Sequence, residues 1–149
     1  MKKPQRTIGW RERVSLPEWG IDGIRAKIDT GAKTSSIHAR QITALEDGQA
    51  RFEVVIRERP SRLVVEVTAT SIRETVVKPK PGLRELRPVF RTRLRIGADE
   101  FDIDLNLVGR GGMLCRMLLG RTAIAGRYLV NPAKSFLLTN SKTGEPKGA

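Results

Sequence analysis

Histidine and cysteine are nearly absent: 149 residues hold one of each, His38 and Cys115. A lone cysteine forms no internal disulfide, so nothing points to an oxidising compartment. Zinc sites are built from clustered His, Cys and carboxylates, and a zinc peptidase commonly shows H-E-x-x-H on a helix. No such motif exists here. Nor is there a G-x-x-x-x-G-K-[ST] phosphate loop. Gly109-Arg110-Gly111-Gly112 lacks the Lys-Ser/Thr and reads as a hairpin turn. No metal and no cofactor is therefore expected. No apolar run approaches the roughly 20 residues of a membrane span. The basic start, Met1-Lys2-Lys3-Pro4-Gln5-Arg6, is not followed by the apolar core of a signal peptide. A cytoplasmic protein with no membrane contact is the expectation. Acids are scarce too: 16 Asp and Glu face 28 Lys and Arg, a net charge of +12. A field of that sign draws in nucleic acid, ribosomes or acidic polypeptides, although solubility alone also accommodates it.

What is present is the size and composition of one domain with a real core. Apolar residues alternate with polar ones at period two, which argues strands. Phe52, Val54 and Ile56 answer Leu63, Val65 and Val67 across a turn at residues 59–62. A second hairpin sets Phe90, Thr92, Leu94 and Ile96 against Phe101, Ile103, Leu105 and Leu107, with residues 97–100 as the turn. If Ile96 pairs with Phe101, Arg95 faces Asp102 and Arg93 faces Asp104. Such cross-strand pairs contribute about 0.2–1 kcal/mol each. The stripe Arg91, Arg93, Arg95 resembles a nucleic-acid footprint, but those acids favour structural pairing. Residues 75–88 carry Pro79, Pro81, Gly82 and Pro88 among Lys78, Lys80, Arg84 and Arg87. Proline lacks the N–H an interior ladder needs, so this segment reads as a long basic loop, either a lid or a surface insertion. A short helix is expected through Thr122-Ala123-Ile124-Ala125, ended by Gly126. Two late strands are expected at 127–130 and 135–138, then a disordered polar tail. The expected boundaries are a basic N-terminal tail at 1–7, one domain at 8–139 and the tail at 140–149.

The chemistry concentrates at Asp29-Thr30-Gly31-Ala32, which follows the alternating run Ile24-Arg25-Ala26-Lys27-Ile28. A carboxylate leaves a strand there and enters a tight turn. Asp-Thr-Gly is good turn chemistry on its own, so the tetrapeptide alone is a modest signal. A second element strengthens it: Met117-Leu118-Leu119-Gly120-Arg121, an apolar strand ending in Gly-Arg before the short helix.

Together these two motifs resemble the retropepsin-like aspartic peptidases. Ile8-Gly9-Trp10-Arg11-Glu12, Ser15-Leu16-Pro17, Lys27 to Ala32, Thr34-Ser35-Ser36 and Leu118-Leu119-Gly120-Arg121 are similar to one bacterial branch. That branch is named for ATP-dependent zinc proteases and associated with RimK, the ligase that adds glutamates to a ribosomal protein. The likeness runs from about Ile8 to Leu138. It implies an all-β fold: a closed acid-protease barrel of the six-stranded type with one short C-terminal helix. Ninety-one positions separate Asp29 from Gly120, more than in the viral enzymes, which implies insertions such as residues 75–88.

The resemblance also implies a mechanism. One motif is half of the machinery, so two chains would bring two Asp29 carboxylates together as a homodimer. Two like charges in contact share one proton. The charged member activates a water, and the protonated member donates to the peptide carbonyl. Thr30 would hold the turn through backbone across the dimer, Gly31 would allow close approach, and Ala32 would keep the floor small. Leu118 and Leu119 would pack beneath the loop, and Gly120 would let it pass. Lys33 and Thr34 stand where viral enzymes carry two acids, which would set Lys33 against Arg121. A basic mouth favours an acidic substrate, with Lys33, Thr34, Lys78, Lys80 and Arg84 as its contacts. The leading reading is therefore an aspartic peptidase acting on an acidic peptide or protein, with a RimK-type ligase or the ribosome as further partner. The alternatives are a non-catalytic basic barrel that binds RNA, the ribosome or a ligase, and the zinc-dependent hydrolase of the branch's name. His38 reads as a packed or capping residue, Trp10 and Trp19 as core or interface anchors, and Cys115, in Met113-Leu114-Cys115, as a small core residue.

Overall fold

A computed structural model describes residues 5–78, 80–109 and 115–147. The chain opens with β1 (Arg6–Gly9) and β2 (Arg11–Leu16), then makes one turn of 3₁₀ helix (Pro17–Trp19) before β3 (Ile21–Asp29). β4 (Ser35–His38) and β5 (Arg40–Ala44) follow, and then the long hairpin of β6 (Gln49–Arg57) and β7 (Leu63–Thr70). Next come β8 (Arg73–Val77), β9 (Glu85–Ile96) and β10 (Asp99–Val108). β11 (Met117–Gly120), the short helix α1 (Arg121–Ile124) and β12 (Tyr128–Asn131) complete the order.

Six strands run β10-β4-β11-β3-β2-β9, and β9 pairs back onto β10. The sheet closes into a barrel and the fold is all-β, as expected. Closure removes most of the free edge that an open sheet would expose. β8 continues the barrel sheet beyond β9, while β5-β6-β7 form a separate three-stranded sheet and β1 pairs in parallel with β12. The inward faces merge into one core, in which Trp19 meets Phe52 and Phe90 edge to face at 5.3 and 6.2 Å. Of the two tryptophans expected as core or interface anchors, Trp19 is a core anchor and Trp10 is half-buried.

Both hairpins form. Phe52 pairs with Val67 and Val54 with Val65. In the second, Ile96 faces Asp99 and Leu94 faces Phe101, two positions from the expected register. The turn holds only Gly97 and Ala98, with Gly97 at φ +59°, a two-residue connection whose twist matches its strands. The charge pairing survives with new partners: Arg91 meets Asp104 at 2.8 Å and Arg93 meets Asp102 at 3.5 Å. Asp104 also receives Arg73, and the two guanidiniums hold its carboxyl below the usual range.

Residues 75–88 are not a loop. β8 and β9 pair from Arg73↔Val89 to Val77↔Glu85, so only the tip is irregular. Pro88 is accommodated because β10 pairs with β9 only as far as Val89, leaving Pro88 a partner on one side alone. The strand expected at 127–130 is β12, but 135–138 forms none. That segment is organised instead by Glu12, which is fully buried. Its carboxylate accepts from the backbone N–H groups of Gly9, Leu137, Leu138 and Thr139 and from the Thr139 hydroxyl, at 2.7–3.2 Å. Gly9 lies so close to this segment that a Cβ there would sit 2.6 Å from the Lys134 carbonyl oxygen. The tail beyond Asn140, expected to be disordered, turns back as far as Lys147, whose N–H donates to the Leu138 carbonyl. At the other end β1 already begins at Arg6, inside the expected N-terminal tail. The predicted turn at 109–112 lies largely outside the described residues, as do Met113 and Leu114.

Candidate active site

Asp29 is the last residue of β3, and β11 lies parallel beside it with Gly120 directly opposite. The chain must turn away at once: the Ala32 N–H donates to the Asp29 carbonyl, and the Gly31 N–H donates to the Asp29 carboxylate at 3.0 Å. Asp29 is half-buried, whereas Thr30 and Gly31 are exposed. Among the described residues the carboxylate has no cation within ion-pair distance.

The second motif holds this loop from behind. A Cβ on Gly120 would lie 2.7 Å from the Thr34 carbonyl carbon and 2.9 Å from the Lys33 carbonyl, so only glycine lets the strands touch. The Gly120 N–H donates to the buried Ser35 hydroxyl at 3.0 Å. The Arg121 N–H donates to the Ala32 carbonyl, and both the N–H and hydroxyl of Thr122 donate to the Lys33 carbonyl. The Arg121 guanidinium reaches the Gly31 carbonyl at 3.1 Å and that of Thr30 at 3.4 Å. Position 33 is a lysine, and the Arg121 guanidinium is received instead by backbone carbonyls of the Asp29 turn. Leu119 is fully buried under the loop, while half-buried Leu118 faces a cavity.

That cavity, about 450 Å³, opens beside Asp29. Ala32, Thr34, Ser36 and Leu118 form its floor, Asn106 and Val108 of β10 one wall, and Val77, Lys78 and Arg87 of the β8–β9 hairpin another. Of the residues expected to contact substrate, Thr34 and Lys78 line it. Lys33, Lys80 and Arg84 are exposed and do not.

A family model described as RimB-like, retropepsin-like aspartic endopeptidase RimB, matches residues 7–141. The chain belongs to the RimB-like family.

Its relatives include a probable alpha-L-glutamate ligase of Desulfotalea psychrophila, 41% identical over 132 residues, which are 87% of this chain and 28% of that protein. Another, from Parasynechococcus marenigrum and of the same name, is 37% identical over 134 residues, 88% of this chain and 29% of that protein. This RimB-like chain thus spans less than a third of the length of those relatives. A solved structure from Legionella pneumophila, protein Lpg0085 of unknown function, superposes with a TM-score of 0.70 at 29% identity, covering 90% of this chain and 98% of that one.

The donor set of this RimB-like chain does not fit zinc. Among the described residues no three His, Cys, Asp or Glu side chains cluster. His38 is packed on β4, as expected, its Nδ1 without a hydrogen-bond partner. Cys115 is buried just before β11, and burial pushes its thiol up. Ser35, Ser36, Asn106 and Arg87 were not among the expected site residues, although Ser35 and Ser36 stand in a motif of the resemblance and Arg87 in the basic stretch 75–88. Serine beside the Asp motif was the available signal for the first two. Nothing local marks Asn106, and nothing local singles out Arg87 from its basic neighbours, because tertiary pairing brings β10 and the β8–β9 hairpin to the cavity.

No helix among the described residues is long and apolar enough to cross a membrane.

Proposed function

We propose that the chain is an aspartic-type endopeptidase that acts as a homodimer on a glutamate-rich peptide or protein. One observation carries the reading: Asp29 stands at the end of β3 beside a cavity, its carboxylate without a cation within ion-pair distance among the described residues, on a turn braced from behind by Gly120 and Arg121. A turn needed only to reverse the chain requires neither the brace nor the cavity.

Each chain supplies one such carboxylate. Two copies meeting through the exposed Thr30-Gly31 turns bring the two Asp29 groups together, and the pair holds one proton between them. The ionised member takes a proton from water as that water attacks the scissile carbonyl. The protonated member donates to the carbonyl oxygen. The exposed Thr30 bonds to backbone of the other copy, and the backbone anchors on Gly31, Ala32 and Lys33 keep both carboxylates from swinging apart. Preorganisation of this kind reduces reorganisation during reaction.

Substrate class follows from charge and relatives. Lys78 and Arg87 stand at the cavity wall, and the net charge is +12. Relatives that contain a segment like this chain are named for glutamate ligation. A chain that works on the product of a RimK-type ligase would need this basic mouth.

The test compares wild type with Asp29→Asn on an oligoglutamate-containing peptide, with and without chelator, alongside the molar mass in solution. Chelator-resistant cleavage by a dimer, reduced at least about 10³-fold in the variant, is expected. A monomer without cleavage, identical to its variant, would instead favour a basic binding module for RNA, the ribosome or a ligase.

A further inference from the structure

A second and larger cavity, about 660 Å³, lies away from Asp29. Arg13, Arg57, Arg95 and Lys142 line it against only Asp22 and Glu145. Asp22 is already engaged, accepting from the Ser15 hydroxyl at 2.9 Å and lying 3.6 Å from Arg95. Arg13, Arg57 and Lys142 have no carboxylate within ion-pair distance among the described residues.

The crowding is built rather than incidental. The Arg13 stem runs between Gly23 and Gly144, where a Cβ on either would lie 3.3–3.4 Å from it. Its guanidinium donates to the carbonyls of Gly23 and Ser141. Burial first, and then the nearby charges of Arg25 and Arg57, pull its pKa down. The C-terminal turn forms one wall of this cavity, so the tail beyond Asn140 helps to make it.

We propose that this cavity is a second docking site for an acidic peptide chain, gripping a stretch of substrate distant from the bond at Asp29. No aromatic residue lines it, so it offers nothing on which a nucleobase could stack. The cations are spread around a broad space, which suits spaced carboxylates better than one compact anion. Gly23 on its wall and Asp29 are separated by six steps of β3, about 20 Å of extended strand. A peptide reaching both sites therefore needs upward of about six residues. The identity of the ligand rests on the substrate proposed above, while the cation cluster stands on its own geometry.

The experiment titrates a fluorescein-labelled decaglutamate peptide into the Asp29→Asn protein of residues 1–149, and into the same protein carrying Arg57→Glu and Lys142→Glu. Both added positions are exposed, and thermal melts verify that each protein is folded. Arg95→Gln serves as a milder third variant. Charge reversal should raise the peptide Kd at least about tenfold. With Asp29 restored, it should leave cleavage of a four-residue peptide, too short to span both sites, unchanged. Equal Kd values in all proteins would overturn the proposal, as would single-stranded RNA that displaces the peptide and binds more tightly. If the short peptide is cleaved by no protein, the peptidase reading fails, and the titration alone decides the docking site.

Discussion

Gly120 tolerates no side chain, because the backbone of Lys33 and Thr34 passes where its Cβ would be. Gly120→Ala should push the Asp29 turn outward and lower stability by about 1–3 kcal/mol. Urea unfolding measures the loss, and a midpoint equal to that of wild type would contradict the contact. His38 carries a pH dependence. Burial first, then the charges of Arg116 and Arg40, hold its imidazole below 6.5. The unfolded chain therefore takes up the proton before the folded one does. Stability from this group is full above pH 6.5 and falls as the pH drops, until the folded imidazole also protonates. His38→Gln should flatten the stability curve below about pH 6.5 relative to wild type. Parallel curves for the two proteins would remove His38 as the source. Glu12 shows what single residues conceal: an acid in a sequence string reads as surface, yet here it satisfies five donors in the interior.

The β8–β9 hairpin brings charge to the Asp29 cavity. Its prolines read as a loop because the sequence does not say which edges are free, and Pro88 sits at a half-free one. Val76, Leu83 and Leu86 are exposed on it, Leu86 at 64%. Large apolar groups left in solvent on a hairpin beside the Asp29 cavity suit an element that covers bound substrate. Lys78→Glu with Arg87→Glu should raise KM for an acidic peptide about tenfold, with a smaller change in kcat. An unchanged KM would detach the hairpin from substrate recognition.

The charge of the chain and its single Asp-Thr-Gly motif both concern the molecule as a unit. If the active unit needs two chains, specific activity must depend on concentration. Dilution below the dimer dissociation constant should lower the rate per chain, and mixing wild type with excess Asp29→Asn should suppress it further, as hybrids form with one ionisable partner. A rate per chain constant on dilution would place the whole site in one copy. Salt should weaken peptide binding, since exposed charges are screened over about 8 Å at physiological ionic strength.

Alternation at period two marked both hairpins, and turn chemistry placed the chain reversal at Asp29, because those signals are local. The resemblance carried by two short motifs supplied the barrel and paired Asp29 with Gly120. Everything that depends on which distant strands become neighbours came only from the tertiary structure: the register of the Arg91–Asp104 ladder, the carbonyls that receive Arg121, the burial of Glu12, and the second cavity. Cross-strand pairing and backbone close approach are set by contacts between residues far apart in the chain, and sequence periodicity carries no record of them.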